Sequence, residues 1–384
     1  MKLAIVRGKF LNQYEMQSFV PLVKRYDITA FGSLHPYHDK FPFPVKKLIS
    51  PMDLPRFPWK MPILNRMFID AQYLVGLEEK LKGFDIVHTA ETYYRYTQQA
   101  LNAKKKGYVK KVVATVLENI PFNNEGILGR KAYKKRAREE LDHIIALTHK
   151  TKTALLAEGA DPKKITVIGH GINTKTFKPE PNHWKKLSDP KKNDFTILFS
   201  GRLEAYKGVF EILEAAAILL NDPSIKNRLR FLFVGQGSSY ANMLHFGKTY
   251  GIHRFVRYFS VPYDRMPAVY KEADLFVAPS KSTKTWSEQY CTALLEAQSM
   301  GLPIVTTKNG GIPENVGNAA LFCDEGDSRS LSEQMKRFIQ NPSLRVQYGR
   351  MAYERAIHVH DINIIAHKLD RVYQSTMETC DHNV

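Results

Sequence analysis

With 384 residues, 43% of them hydrophobic, the chain is long enough to bury two or three separate cores, which makes a soluble multidomain enzyme the default class. No apolar run approaches the ~18–20 residues that a membrane span needs, and three widely spaced cysteines, Cys291, Cys323 and Cys380, indicate neither a disulfide framework nor a zinc site. The formal net charge of +18 is uneven, because residues 1–175 hold 30 Lys+Arg against 16 Asp+Glu while residues 176–384 hold 26 against 22.

The excess gathers in Lys46-Lys47, Arg56, Lys60 and Arg66, set among Phe41, Phe43, Phe57, Trp59 and Phe68, and again in Lys104–Lys106, Lys110-Lys111 and residues 130–138. Such clusters attract anionic surfaces; a solvated basic face serving solubility is the plain alternative. Nucleic acid is not indicated, since no recognition motif accompanies the charge. Residues 3–6 are too short for a signal-peptide core, so the expected location is the cytoplasm, with peripheral binding to the inner face of the plasma membrane as an extension of it.

Short apolar runs alternate with helical stretches, the pattern of parallel sheets wound with helices, and the alternation occurs twice. Strands are expected at 3–7, 27–31, 86–89, 112–117, 144–148 and 165–168, then at 196–200, 231–234, 256–259, 275–278, 304–307 and 320–323. Residues 173–193, polar and rich in Pro and Lys, read as a linker between domains 1–172 and 194–355. The fold class is α/β, two doubly wound Rossmann-like domains facing a cleft. Residues 41–68, with prolines at 42, 44, 51, 55, 58 and 62, read as an irregular excursion. Open sheets bind ligands at the carboxyl ends of their strands, so chemistry is expected after Arg7, Leu117, Ser200, Val234 and Ser280.

Gly201 allows a tight exit from the strand 196–200, and Arg202 and Lys207 place two cations at its end, suited to a diphosphate that gains charge as it leaves. Glu288 lies in the loop entering a helix over 292–300, and Glu296 a turn inside it. Free amides of Tyr290, Cys291 and Thr292 point out of that helix N-terminus, where a phosphate is favoured. The flanking carboxylates accept hydroxyls of whatever carries the phosphate, and a sugar nucleotide fits. Taken alone, two glutamates at this spacing are solvated surface about as often. Gly235-Gln236-Gly237 lets the backbone approach a ligand or serves a plain turn. Residues 256–263, including Pro262, offer backbone groups and an apolar wall to a nucleobase.

These motifs, in this order, resemble the retaining GT-B glycosyltransferases of family four. The resemblance rests on 199–208, 233–237, 273–280, the Glu288 and Glu296 pair, and Gly310-Gly-Ile-Pro-Glu314. Residues 165–179 are similar to the family's crossover between domains, and the tail within 356–384 to the final helix that crosses back onto the first domain. It implies that Arg202 and Lys207 hold the donor diphosphate and that Glu288 receives hydroxyls of the transferred sugar. Amides from Tyr290 to Thr292 then hold the distal phosphate, and Glu296 accepts from the ribose. It further implies retention by front-face attack, no metal and no cofactor, the nucleotide-diphosphate sugar being a co-substrate. No Asp-x-Asp motif appears at a strand end, and residues 324–327 read as a surface turn.

The chain departs from that family where Gln289-Tyr290-Cys291 replaces the usual Gly-Phe-Gly. After the first strand, Asn12 with Glu15 reads as a capping box opening a helix that faces the donor phosphates. Glu118, where many relatives place a histidine, reads either as a contact to the sugar or acceptor hydroxyl or as a buried structural carboxylate. His88 and His170 read as loop caps rather than bases. The expected function is retaining transfer of a hexose from a nucleotide donor to a lipid-linked or glycan acceptor, in cell-envelope glycan or glycolipid synthesis, with an anionic membrane surface as a further partner. The alternatives are a sugar-nucleotide epimerase of the same architecture, which yields an epimer from the donor alone, and a non-catalytic membrane module, which Glu288→Ala leaves unaffected.

Overall fold

The computed structural model describes residues 1–55, 57–190 and 194–378. Arg56 of the basic set, residues 191–193 of the expected linker, and Cys380 lie outside the described residues. The chain forms two compact units: Met1–Gly171 together with the segment from Ile362 onward, and Ile172–Asp361.

The first unit is built on β1 (Lys2–Gly8), β2 (Asp27–Ser33), β3 (Val45–Leu48), β4 (Phe84–Ala90), β5 (Val109–Val116), β6 (His143–Ala146) and β7 (Ile165–Val167). All pair in parallel in the order β3-β2-β1-β4-β5-β6-β7. The second unit has β8 (Phe195–Ser200), β9 (Leu229–Val234), β10 (Val256–Phe259), β11 (Leu275–Ala278), β12 (Ile304–Thr307) and β13 (Leu321–Cys323), in the order β10-β9-β8-β11-β12-β13. Central strands such as β1 and β11 are buried on both faces, which is why they read as unbroken apolar runs. Chain order reverses between β1 and β4 and between β8 and β11. Loops diverge at these points, leaving room for a ligand at the carboxyl edge.

Three expectations change. The excursion 41–68 contains edge strand β3 and the helix Lys60–Phe68. β3 escaped notice because an edge strand needs no apolar run; Lys46 and Lys47 are exposed, and Pro44 precedes the strand while its carbonyl accepts the Ala30 amide at 2.9 Å. Residues 172–190 belong to the second unit, where His183–Ser188 is a helix. Its few anchors are hidden among polar residues: Leu187 is buried, and His183 Nε2 meets the Gly301 carbonyl at 3.0 Å. Residues 356–361 complete the second unit, so the return to the first begins at Ile362, beside the first crossing, where the Ile172 amide bonds the His360 carbonyl at 2.7 Å.

The helix Ile362–Glu378 closes the first unit's core, burying Ile365, Leu369 and Tyr373 against Leu3 and Ile5. Asp370 holds it through the Tyr26 hydroxyl at 2.6 Å and an ion pair with Arg25. His88 is inside β4 rather than capping a loop: its Nδ1 lies 2.5 Å from Tyr373 Oη and its Nε2 2.7 Å from Thr115 Oγ1. Burial, and secondarily the Arg7 cation, hold His88 neutral and push His170 down to about 3. Neither is poised as a base near neutral pH. Tyr373→Ala is expected to lower the stability of the first unit by about 3–5 kcal/mol in chemical denaturation; an unchanged midpoint would show that this helix is not part of the core.

Candidate active site

The second unit's switch point brings the loops after β8 and β11 side by side. Gly201 leaves β8 with its amide on the Val234 carbonyl at 3.0 Å, and Leu203 bonds the Gln236 carbonyl at 2.9 Å, so the loops after β8 and β9 are tied together. Gly235 is required there, because a Cβ would stand 1.9 Å from the Gly201 carbonyl oxygen. Arg202 is exposed, with its guanidinium 5.3 Å from the Tyr206 ring centroid, and no carboxylate pairs with it among the described residues. Lys207 Nζ lies 2.5 Å from Glu288 Oε2 and 5.0 Å from the Trp286 ring centroid. The expected cation and carboxylate, 81 residues apart, are in direct contact.

Glu288 is buried, and Ser280 Oγ donates to its Oε2 at 2.9 Å. Its backbone is fixed as well, the amide bonding Asn309 Oδ1 at 2.6 Å and the carbonyl accepting the Gly311 amide at 2.8 Å. Asn309 and Ser280 were not among the expected site residues. Asn309 directly precedes the Gly310 motif, and that adjacency was the signal available for it.

The helix Thr292–Ser299 has no side-chain cap, leaving its first amides without that competitor. Cys291 precedes it at φ 58°, in the left-handed region, so the backbone takes a glycine-like conformation although a side chain is present. Asn315 Nδ2 braces the turn through the Tyr290 carbonyl at 2.5 Å and the Cys291 carbonyl at 3.2 Å. The Tyr290 ring is buried, with its hydroxyl 3.4 Å from His360 Nδ1. Desolvation, then the Glu288 charge, push the Cys291 thiol up to about 12, so it stays protonated. Glu296 is buried with Tyr270 Oη donating to Oε2 at 2.7 Å; desolvation raises it to about 7.

Gln236 and Pro262 are exposed at the ends of the neighbouring strands, and Gln236 Nε2 meets Ser260 Oγ at 3.3 Å. Asn12 and Glu118 lie in the first unit. Asn12 Oδ1 takes the Glu15 amide at 2.8 Å, but the α-helix it opens, Gln13–Met16, is a single turn that continues as a 3-10 helix. Glu118 accepts the Ile120 amide at 3.0 Å and the Asn123 and Asn124 side chains at 2.8 and 2.9 Å, which makes it the brace of its own loop. The turn 324–327 also reaches inward, since Glu325 accepts from the Ser282 amide at 2.6 Å and from Asn309 at 3.1 Å. Among the described residues no group of three or more His, Cys, Asp or Glu is placed to hold a metal ion.

Two family models match the chain, the group 1 glycosyl transferases over residues 182–355 and glycosyltransferase family 4 over residues 28–176. The chain belongs to the group 1 glycosyltransferases. It is 26% identical over 227 residues to the D-inositol 3-phosphate glycosyltransferase of Corynebacterium aurimucosum, covering 56% of this chain and 52% of that protein. It is 24% identical over 257 residues to a phosphatidylinositol N-acetylglucosaminyltransferase subunit of Arabidopsis thaliana, covering 66% of this chain and 54% of that one. The match therefore spans about half the length of these relatives. Anabaena Alr3699/HepE, solved in complex with UDP and glucose, shares the GT-B fold with a TM-score of 0.78 at 16% identity, over 98% of this chain and all of that one.

Glu296 supplies a pH test of this group 1 site. Its folded pKa of about 7 lies above the ordinary 4.5, so its contribution to stability is complete below about 4.5 and is lost as pH rises through about 7. Glu296→Gln fixes a neutral group, so wild type should lose roughly 3 kcal/mol relative to the variant across that window in denaturation series. A difference that stays flat from pH 4.5 to 8 contradicts the assigned environment.

Proposed function

We propose that this group 1 glycosyltransferase moves a hexosyl group, with retention, from a nucleoside-diphosphate sugar to a hydroxyl of a lipid-linked or glycan acceptor, in cell-envelope glycan or glycolipid synthesis. The observation that carries the reading is the contact between Lys207 and Glu288 beside Arg202 and an uncapped helix N-terminus. Arg202, Lys207 and the amides of Tyr290, Cys291 and Thr292 hold the diphosphate. Glu288, released from Lys207, accepts hydroxyls of the sugar, and Glu296 with Tyr270 meets the ribose. Gly201, Gly235, Gln236 and Pro262 border the nucleoside. The bond from the sugar's anomeric carbon to phosphate oxygen breaks, the bond to the acceptor oxygen forms, and the acceptor's proton passes to the departing phosphate. Two cations and oriented amides supply the charge stabilisation, so no step is routed through a metal or cofactor.

A UDP donor is favoured by the HepE complex, and a phosphate-bearing or lipid acceptor by the names of the two relatives. An anionic membrane surface as partner is supported by Ile63 and Met67, 43% and 70% exposed at four-residue spacing along the helix Lys60–Phe68, by Trp59, 76% exposed at its N-cap, and by the exposed Arg66. Leu128, in the loop before Gly129, is a further exposed apolar side chain at 94% exposure, and Gly129 lies against Ile69. Among the described residues no helix is long and apolar enough to cross a membrane.

A thermal-shift screen of nucleoside diphosphates should single out one base. With that donor, Lys207→Ala and Glu288→Gln should each lower turnover about 10²–10³-fold with the fold intact. Full activity in both variants, or an epimer formed from the donor alone, refutes the reading. Its membrane part fails if vesicles containing anionic lipid do not bind the protein at low salt.

A further inference from the structure

Backbone strain marks the turn that enters the helix Thr292–Ser299. Cys291 stands there at φ 58° and ψ 80°, and among the described residues it is the one non-glycine residue of the second unit with a positive φ. This region is disfavoured for a side chain such as cysteine, because Cβ crowds the following carbonyl oxygen, so the turn needs support from outside itself.

The support is Asn315, which lies in the short helix Ile312–Val316 and is fully removed from water. Its Nδ2 donates to the carbonyls of Tyr290 and Cys291 at 2.5 and 3.2 Å. Carbonyls only accept, so the side-chain amide must turn its nitrogen to them and its oxygen to the far side, where Gln298 Nε2 donates to Oδ1 at 2.7 Å. Gln298 is buried too, and its Nε2 also donates to the Leu294 carbonyl at 3.1 Å, one turn back in the same helix. The Asn315 backbone is clamped as well, its carbonyl accepting from Arg355 Nε at 2.7 Å and meeting His360 Nε2 at 2.9 Å. Asn315 is thereby held in one orientation against the turn.

Peptide geometry carries this constraint to the opposite side of the chain. In a planar trans unit the N–H points opposite to the C=O, so drawing the Tyr290 and Cys291 carbonyls to Asn315 turns the Cys291 and Thr292 amides away from it. Neither amide has an acceptor among the described residues. Two adjacent donors opening a helix suit an anionic oxygen. Rotation of φ at Cys291 into the extended region would turn one peptide plane against the other and separate the two donors. We propose that Asn315 is a positioning residue for the distal phosphate: by holding both carbonyls it keeps Cys291 left-handed and aims the Cys291 and Thr292 amides together, a task that glycine at 291 would perform through its own backbone freedom. The proposal rests on the glycosyltransferase reading, which places a diphosphate at this turn.

Calorimetric titration of the full chain tests it, using the nucleoside diphosphate singled out by thermal shift and the corresponding monophosphate, which lacks the distal phosphate. Wild type should bind the diphosphate more tightly. In Asn315→Leu, similar in volume but without a donor, diphosphate binding should weaken about tenfold or more and monophosphate binding less than about threefold. The same change made in a Cys291→Gly background should cost about threefold or less in diphosphate affinity, since glycine needs no brace. Asn315→Ser, too short to reach both carbonyls, repeats the measurement if Asn315→Leu does not fold. A residue that merely supported the fold would weaken both nucleotides alike. Equal weakening of the two, a diphosphate preference unchanged in the folded variant, or an undiminished loss in the Cys291→Gly background overturns the proposal. A wild type that does not distinguish diphosphate from monophosphate would instead strike the functional reading beneath it.

Discussion

The ion pair between Lys207 Nζ and Glu288 Oε2 joins the loop after β8 to the loop after β11 across the point where strand order reverses. Its carboxylate is almost wholly removed from water, which is unfavourable unless remaining lone pairs are satisfied; Ser280 Oγ does part of this, and Asn309 fixes the backbone that carries the charge. Much of the surrounding sequence follows from holding that geometry. Gly310 is required because a Cβ there would stand 1.9 Å from the Glu288 carbonyl oxygen. Without ligand, each charge satisfies the other. In the proposed function a diphosphate competes for Lys207, and the carboxylate it releases becomes an acceptor for hydroxyls.

The residues of this pair were legible in the sequence because each sits in the connection that follows a buried apolar strand, and parallel sheets advertise such strands. Their contact was not legible, since 81 residues separate them and only the β8–β11 pairing brings them together. Edge strand β3 and the helix 183–188 stayed hidden for the opposite reason: solvent on one side leaves few apolar residues to see. The replacement of glycine near the proposed phosphate site was visible but its consequence was not. Cys291 keeps the left-handed turn, and Asn315 holds two of its carbonyls.

In the first unit the carboxylate that sequence favoured and the one the fold leaves with an unpaired oxygen are different. Glu118 stands out next to a strand end, yet its oxygens close its own loop; Glu91 hides in the run Glu91-Thr-Tyr-Tyr-Arg95 and keeps an oxygen unpaired. The distinction depends on which backbone amides fold back toward each side chain, a property of β4 and β5 lying adjacent. The helix Ile362–Glu378 has the same character: its amphipathic pattern is plain, but the partners of Asp370 and Tyr373 come from more than 280 residues away.

In the proposed function Lys207 and Glu288 hold each other until a diphosphate separates them. Calorimetric titration of the selected nucleoside diphosphate into wild type, Lys207→Ala, Glu288→Ala and the double variant measures this coupling directly. The account predicts weaker binding in Lys207→Ala, and equal or tighter binding in Glu288→Ala, where the ammonium is already free. Loss of affinity in Glu288→Ala as large as that in Lys207→Ala, in a folded protein, would contradict it.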